Sequence, residues 1–497
     1  MSVDTSQAAE PKPLGEALDD APMSKKHRGF WLLAALGILL DGYDFFVIGI
    51  VNPLIKEQYD LSATMVGLVS SAAIVGAIFG AGFLGPLADK IGRRRIFKID
   101  LWLFVGGSIA CAFAPSVELL ILFRFIVGVA IGLDFPIAAS FLSEVLPKKA
   151  RGRWLVGAFS LQSVGILLAA VVGLVILLAV YNQAAGAAGS SQVDLAWRIM
   201  LGFGAIPALV IIWLRRKVPE SPRWLAQNGQ EAEAEAITEE LTGVPVKVTP
   251  ADTEKEIASS EGLQALFQPA LFKANMIRRT IFTAVPWFLM DIAMYGVGIF
   301  TPTLLAGIFI SGSTTNFIAD DITATEGTAA LDIFLPLGFL AAIFLVDRIG
   351  RIPLQVMGFT VMSIALAILA VTEGLAGGPE KHLALVFFGF ALFNFFCNSG
   401  PNATTYALPA EVFPSDIRAA GHGFAAASAK FGAAIGVFVF PILMADIGEQ
   451  ALLFALSGVC LLALLVTLVF RIETKGKSLE ELSGRSLAEI EPRPTPP

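Results

Sequence analysis

IFTAVPWFLMDIAMYGVGIFTPTLLAGIF, residues Ile281 to Phe309, is apolar enough to span a bilayer and carries Asp291 near its middle. A carboxylate at mid-membrane costs about 2.5–3.5 kcal/mol on insertion scales. Chains bear that cost where the group faces a cavity, a partner or a substrate. Trp287, Asp291 and Tyr295 fall at i, i+4 and i+8 and so share one helix face. That face is expected to line a transport site.

The rest of the chain supports a membrane reading. It has 497 residues, 55% hydrophobic and only 15% charged, where a soluble domain is about 25% charged. The apolar runs are about 20 residues long, which indicates helices rather than barrel strands. The net charge of −7 comes from acidic residues in the tail and central loop, while basic residues punctuate the apolar runs. No basic stripe for nucleic acid is present. Cys111, Cys397 and Cys460 lie inside apolar runs without metal-ligand or CxxC spacing, so they read as packing thiols. Residues 1–22 are polar and rich in Pro and Ala, unlike a cleavable signal.

About twelve spans are expected, at 30–51, 64–88, 97–114, 118–141, 155–181, 197–214, 281–309, 327–346, 353–373, 383–408, 422–447 and 450–470. Lys90, Arg93–Arg95 and Lys98 lie after the second. Lys148, Lys149, Arg151 and Arg153 follow the fourth, and Arg215, Arg216 and Lys217 the sixth. Arg348 and Arg351 follow the eighth, and Arg418 the tenth. The opposite loops hold few basic residues, which puts both termini in the cytoplasm. The organisation is then a tail (1–29), a six-helix bundle (30–214), a cytoplasmic central loop (215–280), a second six-helix bundle (281–470) and a tail (471–497). Within the central loop, Gln230 to Leu241 reads as a surface helix.

An internal repeat supports the split. Gly85-Pro-Leu-Ala-Asp89-Lys-Ile-Gly-Arg93-Arg94 recurs as Asp347-Arg348-Ile-Gly-Arg351. Glu144-Val-Leu-Pro147 with Arg151 recurs as Glu411-Val-Phe-Pro414 with Arg418. Shared loops at equivalent places imply two bundles related by a pseudo-two-fold along the membrane normal. On these motifs the chain resembles the major facilitator superfamily over residues 30–482, and the resemblance implies an all-α membrane protein with twelve transmembrane helices. Pro219-Glu220-Ser221-Pro222-Arg223-Trp224-Leu225 and Glu473-Thr474-Lys475-Gly476 resemble its sugar-porter and phosphate-porter branches.

Charged loop residues are expected to act as gates that form in one conformation and break in the other. Asp89 is expected to pair with Arg93 and Arg94, and across the bundle with Arg124. Glu144 is expected to pair with Arg151, and Glu411 with Arg418. Asp347 and Arg351 belong to the same set by the repeat.

Inside the spans lie Asp41, Asp44, Asp134, Gln162, Asp291, the row Asn394, Asn398 and Asn402, and Lys430. Four carboxylates and a lysine would together cost on the order of 10 kcal/mol against lipid, so they are expected to face a shared interior. Desolvation disfavours the charged form of a carboxyl group, so such groups suit proton coupling. Lys430 is a fixed cation on which an anion can dock. The Asn row reads mainly as interhelical hydrogen bonding.

Several stretches resemble the phosphate:proton symporter branch: Gly400-Pro-Asn-Ala-Thr-Thr-Tyr406 through Glu411-Val-Phe-Pro414, Gly421-His422-Gly423, Ser428-Ala-Lys430, Trp287 to Gly296, Asp41-Gly-Tyr-Asp44 and Gly132-Leu-Asp134-Phe135-Pro136. The resemblance implies Gln162, Trp287, Asp291, Tyr295 and Lys430 as phosphate ligands. It implies Asp41, Asp44, Asp134 and Asp291 as proton carriers. Phe135 stands in the presumed site where the branch has Tyr, Ala429 stands before the lysine where it has Gly, and no Asn follows Tyr295. The expected activity is proton-coupled phosphate uptake at the cell membrane, by a chain that works as a monomer with no cofactor or metal. Its partners are a small-molecule substrate, protons and the lipid bilayer. A symporter of a sugar or organic acid is the alternative. No nucleophile–base pair, metal set or phosphate-binding glycine loop points to an enzyme.

Overall fold

The computed structural model describes residues 11–84, 91–183, 190–216, 218–253, 269–274, 276–309, 317–413, 417–472 and 474. Among them the chain is nearly all helix. The first half holds α1 (Leu14–Asp20), α2 (Lys25–Tyr59), α3 (Ala63–Phe79), α4 (Arg93–Ala112), α5 (Val117–Val145), α6 (Lys148–Gln183), α7 (Ser190–Phe203) and α8 (Ala205–Arg215). Between the halves come α9 (Pro222–Gln227) and α10 (Glu231–Thr242). The second half holds α11 (Ile277–Phe309), α12 (Phe317–Asp332), α13 (Phe334–Ile349), α14 (Arg351–Gly374), α15 (Leu383–Ser399), α16 (Pro401–Val412), α17 (Arg418–Ile447) and α18 (Glu449–Phe470).

Eleven helical stretches among the described residues are long and apolar enough to cross a membrane. The expected third span is α4, a helix of 20 residues whose first turns carry Arg93, Arg94, Arg95, Lys98 and Asp100. Three expected spans are interrupted, one of them at Ile333, where α12 and α13 meet. α15 and α16 meet at Gly400, where Pro401 opens the new helix and Gly400 leaves helical backbone at φ −120° and ψ −100°. α7 and α8 meet at Gly204. The expected span 327–346 begins too late, because the helix starts at Phe317.

Capping fixes the start of α2. Ser24 Oγ accepts from the His27 N–H at 3.3 Å, and His27 Nδ1 accepts from the Ser24 N–H at 3.2 Å. Both orphan donors of that helix start are thereby satisfied.

The two halves pack face to face through α2 on α11, α3 on α17, and α6 on α12 and α13. Small residues allow the close approach. A Cβ on Gly432 or Gly436 would overlap the carbonyls of Phe288 or Ile292, so α17 lies directly on α11. One end of the interface closes where Gly49 meets the Ile299 carbonyl and Gly67 meets that of Phe438. The other end closes where Phe159 stacks on Tyr406 at 4.8 Å and meets Phe339 edge-on at 5.8 Å.

The polar segments also form a small cap. Lys12–Pro13 pairs in parallel with Val246–Lys247, and Leu14, Ala17 and Leu18 of α1 are buried. Asp19 pairs with Arg223 at 2.8 Å. The N-terminal segment expected as a free tail is therefore docked from Lys12 onward. The expected surface helix at Gln230–Leu241 is α10.

Candidate functional site

The packing of α17 on α11 brings the two halves of the expected site together. Lys430 Nζ donates to the Tyr295 hydroxyl at 2.7 Å and lies 3.4 Å from Asp291 Oδ2. The ammonium also sits 4.5 Å from the Tyr295 ring centre, a cation–π position. From the other bundle, Gln162 Nε2 reaches the same hydroxyl at 3.4 Å. Tyr295 is thus the junction of α6, α11 and α17, and Phe45 and Phe46 of α2 pack against its ring. Asp291, Tyr295, Trp287 and Gln162 are all buried.

Trp287 meets Tyr406 at 6.2 Å and His422 at 6.0 Å, both edge-on. His422 Nε2 lies 3.2 Å from the Tyr406 carbonyl oxygen. This aromatic cluster around Trp287 was missing from the sequence reading, although Tyr406 and His422 lie in the motifs that carry the resemblance. Within the Asn row, Asn394 Nδ2 donates to the Leu331 carbonyl at 3.1 Å, which bridges two helices. The other two bonds stay within the row: Asn398 Nδ2 donates to the Asn394 carbonyl at 2.9 Å, and Asn402 Nδ2 to Asn398 Oδ1 at 2.8 Å. Phe135 lies on α5, and its side chain is outside the described residues.

The acids of the first half occupy two centres. Arg124 Nη1 donates to Asp44 Oδ2 at 2.7 Å, and Nη2 to the Asp44 carbonyl at 3.1 Å. Both side chains are buried, Arg124 completely. Arg124 was expected to reach Asp89, which lies outside the described residues. The structure instead commits it to Asp44, because it sits in the second turn of α5 with no water to solvate it.

The second centre gathers Asp134, Asp100 and Asp41 around Arg215. Arg215 Nη1 donates to Asp134 Oδ1 at 2.9 Å and lies 4.0 Å from Asp100 Oδ2. Nε and Nη2 donate to the Leu33 and Ala34 carbonyls, and Phe97 lies under the guanidinium at 4.4 Å. Gly37 makes the room, since a Cβ there would overlap both Asp134 and Arg215. Asp100 Oδ1 accepts from the Leu101 N–H at 2.6 Å, while Asp100 Oδ2 and Asp134 Oδ2 are buried without a hydrogen-bond partner among the described residues. Asp41 faces the same group electrostatically, and its Oδ2 has no hydrogen-bond partner among the described residues. Three carboxyls against one guanidinium leave surplus negative charge unless protons are held there.

Arg215 corrects the sequence reading, which placed it with Arg216 and Lys217 as a loop charge. It is buried because it is the last residue of an apolar helix and its guanidinium turns inward to Asp134 and the Leu33 and Ala34 carbonyls. Asp100 was missed for a related reason. It follows Arg93–Arg95 and Lys98, so it reads as the tail of a basic loop.

Glu144 and Glu411 each have a described ion-pair partner that the sequence did not name for them. Arg93 Nη2 donates to Glu144 at 2.8 Å, and Arg351 donates to Glu411 at 2.8 Å from Nη2 and 3.0 Å from Nε. The two pairs occupy equivalent places in the two halves, so the repeat seen in sequence is a repeated ion pair. The side chains of Arg151, Asp347 and Arg418 lie outside the described residues.

Glu220 explains two motifs at once. Its carboxylate accepts from the backbone N–H of Arg93 at 2.9 Å and of Arg94 at 3.1 Å, at the positive end of α4. Gly92, at φ +95°, both permits that turn and leaves room for the carboxylate.

The whole span from residue 30 to 484 matches the family described as "Sugar (and other) transporter". The chain is 33% identical to "Probable inorganic phosphate transporter 1-6" of Arabidopsis thaliana, covering 95% of this chain and 96% of that one. It is 32% identical to "Low affinity inorganic phosphate transporter 1" of Petunia hybrida, covering 96% of each. Among solved structures it is similar to the xylose transporter XylE from E. coli in a partially occluded inward-open conformation. The TM-score there is 0.71 at 23% identity, over 92% of this chain and all of the other. Another similar structure is described as an MFS (major facilitator superfamily) proton:xylose symporter, with a TM-score of 0.67 at 24% identity over 92% of this chain and 98% of that one. The chain therefore belongs to the sugar (and other) transporter family, a family of membrane transporters and not of enzymes.

Proposed function

We propose that the protein imports inorganic phosphate together with protons by alternating access. The observation that carries this reading is Lys430 held between Asp291 and Tyr295, with Gln162 arriving from the opposite bundle. An anion entering there can take the Lys430 and Tyr295 donors and bridge the bundles through Gln162. Asp291 then opposes the anion unless it is protonated. Proton and anion thus enter as a neutral pair, which lets the two halves close around them. Asp41, Asp44 and Asp134 with Asp100 form the proton side, and the Arg93–Glu144 and Arg351–Glu411 pairs, each inside one half, serve as gate pairs that form in one conformation and break in the other. Twelve spans, cytoplasmic termini, a plasma-membrane location and a functional monomer complete the reading. The relatives named as phosphate transporters support phosphate over other anions.

A sugar or organic acid as the substrate is favoured by two observations: Phe135 stands where a Tyr would supply a hydroxyl donor, and Gly296-Val297-Gly298 follows Tyr295 without an Asn. Uptake of labelled phosphate into proteoliposomes, with and without an inward proton gradient, decides between them. Gradient-driven phosphate uptake, not displaced by xylose or a dicarboxylate, is expected. Uptake of a sugar with no phosphate uptake would remove the phosphate reading. Asp291→Asn should abolish gradient-driven accumulation, and unchanged accumulation would sink the role given to Asp291.

A further inference from the structure

α12 packs on α6 of the first bundle and carries one buried face that is polar along its length. Asp321, Thr325, Thr328 and Asp332 are spaced i, i+4, i+7 and i+11, which returns to one helical face. All four are buried. Neither oxygen of Asp321 has a hydrogen-bond partner among the described residues, and neither does the Thr325 hydroxyl. Asp321 stands in the first turns of α12, at the end away from the Arg351–Glu411 pair. Asp332 stands at the other end of α12 and lines a small cavity with Asn394, Asn398, Cys397, Met294 and Phe46. The cavity offers ≈ 10 Å³ to the centre of a water-sized sphere, room for a single water. Phe46 packs on Tyr295 at 5.5 Å, so this cavity adjoins the lysine site through one ring.

A buried carboxyl without donors is expensive as an anion and needs a proton or a cation. No cationic side chain on the neighbouring helices lies at mid-span to supply one. α6 carries no titratable group between Arg153 and Tyr181. α11 contributes Asp291 and Tyr295, with Arg278 and Arg279 at its far end. α15 contributes Cys397, and α13 only Asp347 and Arg348 at its far end. α2 contributes Asp41, Tyr43 and Asp44 mid-span, with Lys25, Lys26, His27 and Arg28 at one end and Lys56, Glu57 and Tyr59 at the other. α12 itself adds Asp320 and Glu326.

We propose that this face of α12 is a proton lane that ends at Asp332, a proton-binding carboxyl of the second bundle outside the Asp41–Asp100–Asp134 group. A proton from the outer solution binds Asp321, passes by the Thr325 and Thr328 hydroxyls, and converts the Asp332 carboxylate to the acid. The same proton leaves to the inner solution when the halves reopen, so charge and atoms balance over the cycle. The lane rests on the transport reading and its orientation, and not on phosphate as the substrate.

Two measurements on the full-length protein test it. In reconstituted protein, infrared difference spectra between acid and alkaline pH should show a carboxyl C=O band. Asp332→Asn should lose one component of that band, and Asp332→Glu should shift that component. In proteoliposomes, each coupled proton is worth about tenfold accumulation per unit of pH gradient (about 1.4 kcal/mol). Asp332→Asn should therefore lower the phosphate plateau about tenfold per unit of gradient, while phosphate exchange at equal pH persists and Asp332→Glu restores the plateau. A carboxyl band identical in the wild type and Asp332→Asn, or an unchanged plateau, would overturn the proposal. Accumulation that follows a sodium gradient and is lost in Asp332→Asn would also overturn it, by assigning the site to a metal cation. If the wild-type protein carried no phosphate at all, the substrate reading would fail while the infrared band still decided the role of Asp332.

Discussion

Replacing Arg124 by Met removes a guanidinium that is completely buried and lies 2.7 Å from Asp44. The Asp44 carboxyl then stays in the same dry place without its cation. Losing one partner of a buried pair costs about 3–5 kcal/mol, mostly the cost of stranding the other charge. Asp44→Asn strands Arg124 in the same way, although Arg124 keeps its 3.1 Å bond to the Asp44 carbonyl. The double variant strands no charge. Its cost should fall to the ~1–3 kcal/mol of leaving buried polar groups poorly bonded. The two substitutions should therefore be strongly non-additive, with a coupling of about 2 kcal/mol or more. The assay is unfolding of purified protein in mixed micelles, run on the wild type, both single variants and the double variant. A pair exposed to water would couple by about 0.2–1 kcal/mol. Additive costs, or single variants that each lose under about 1 kcal/mol, would refute the buried pair and the placement of Arg124 beside Asp44.

Other outcomes follow from the same geometry. Lys430→Ala should abolish phosphate binding measured by calorimetry while leaving the fold intact, since its ammonium holds Tyr295 and Asp291 together; retained phosphate affinity would count against it. Gly37→Val should disrupt the Asp134–Arg215 contact and cost about 3–5 kcal/mol in the same unfolding assay; a silent substitution would show that the centre is looser than the packing indicates. Exchanging the partners in Arg351→Glu with Glu411→Arg should restore transport lost in either single variant, as expected of a pair 2.8 Å apart. The docked N-terminal segment should depend on pH. Burial pushes the Asp252 carboxyl up, but bonds from Thr249 and from the Gly15 and Leu14 backbone outweigh it and hold the group below the usual carboxylate range. A depressed folded value means the stabilisation is complete above the ordinary pKa of about 3.9 and lost as pH falls through the folded value. Limited proteolysis near Gly15 should therefore rise only in strong acid, and Asp252→Asn should expose the segment at neutral pH.

Much of the site was legible because a charge inside an apolar run stands out whatever the fold. Asp291, Lys430, Asp44 and Asp134 were visible for that reason, and the helical spacing put Trp287 and Tyr295 on one face with Asp291. The partners were less legible. Arg215 ends an apolar run beside Arg216 and Lys217, so a rule about loop charge absorbs it. Asp100 hides behind a basic cluster in the same way. Asp321 lies before the expected start of its span, because the polar face of α12 lowers the hydropathy of that helix. The repeat of Glu144 and Glu411 was plain, yet their arginines were assigned by nearness in sequence. The described partners, Arg93 and Arg351, come from the neighbouring helix start, a contact that depends on how α4 lies against α5 and α14 against α16.

Coupled flux is the most direct test of the central claim. Phosphate is added outside proteoliposomes that hold a pH-sensitive dye, with membrane potential clamped. Acidification of the lumen that requires phosphate, stops with Asp291→Asn and is abolished by a protonophore is the predicted result. Phosphate entry with no proton movement, or proton movement triggered by a sugar and not by phosphate, would contradict it.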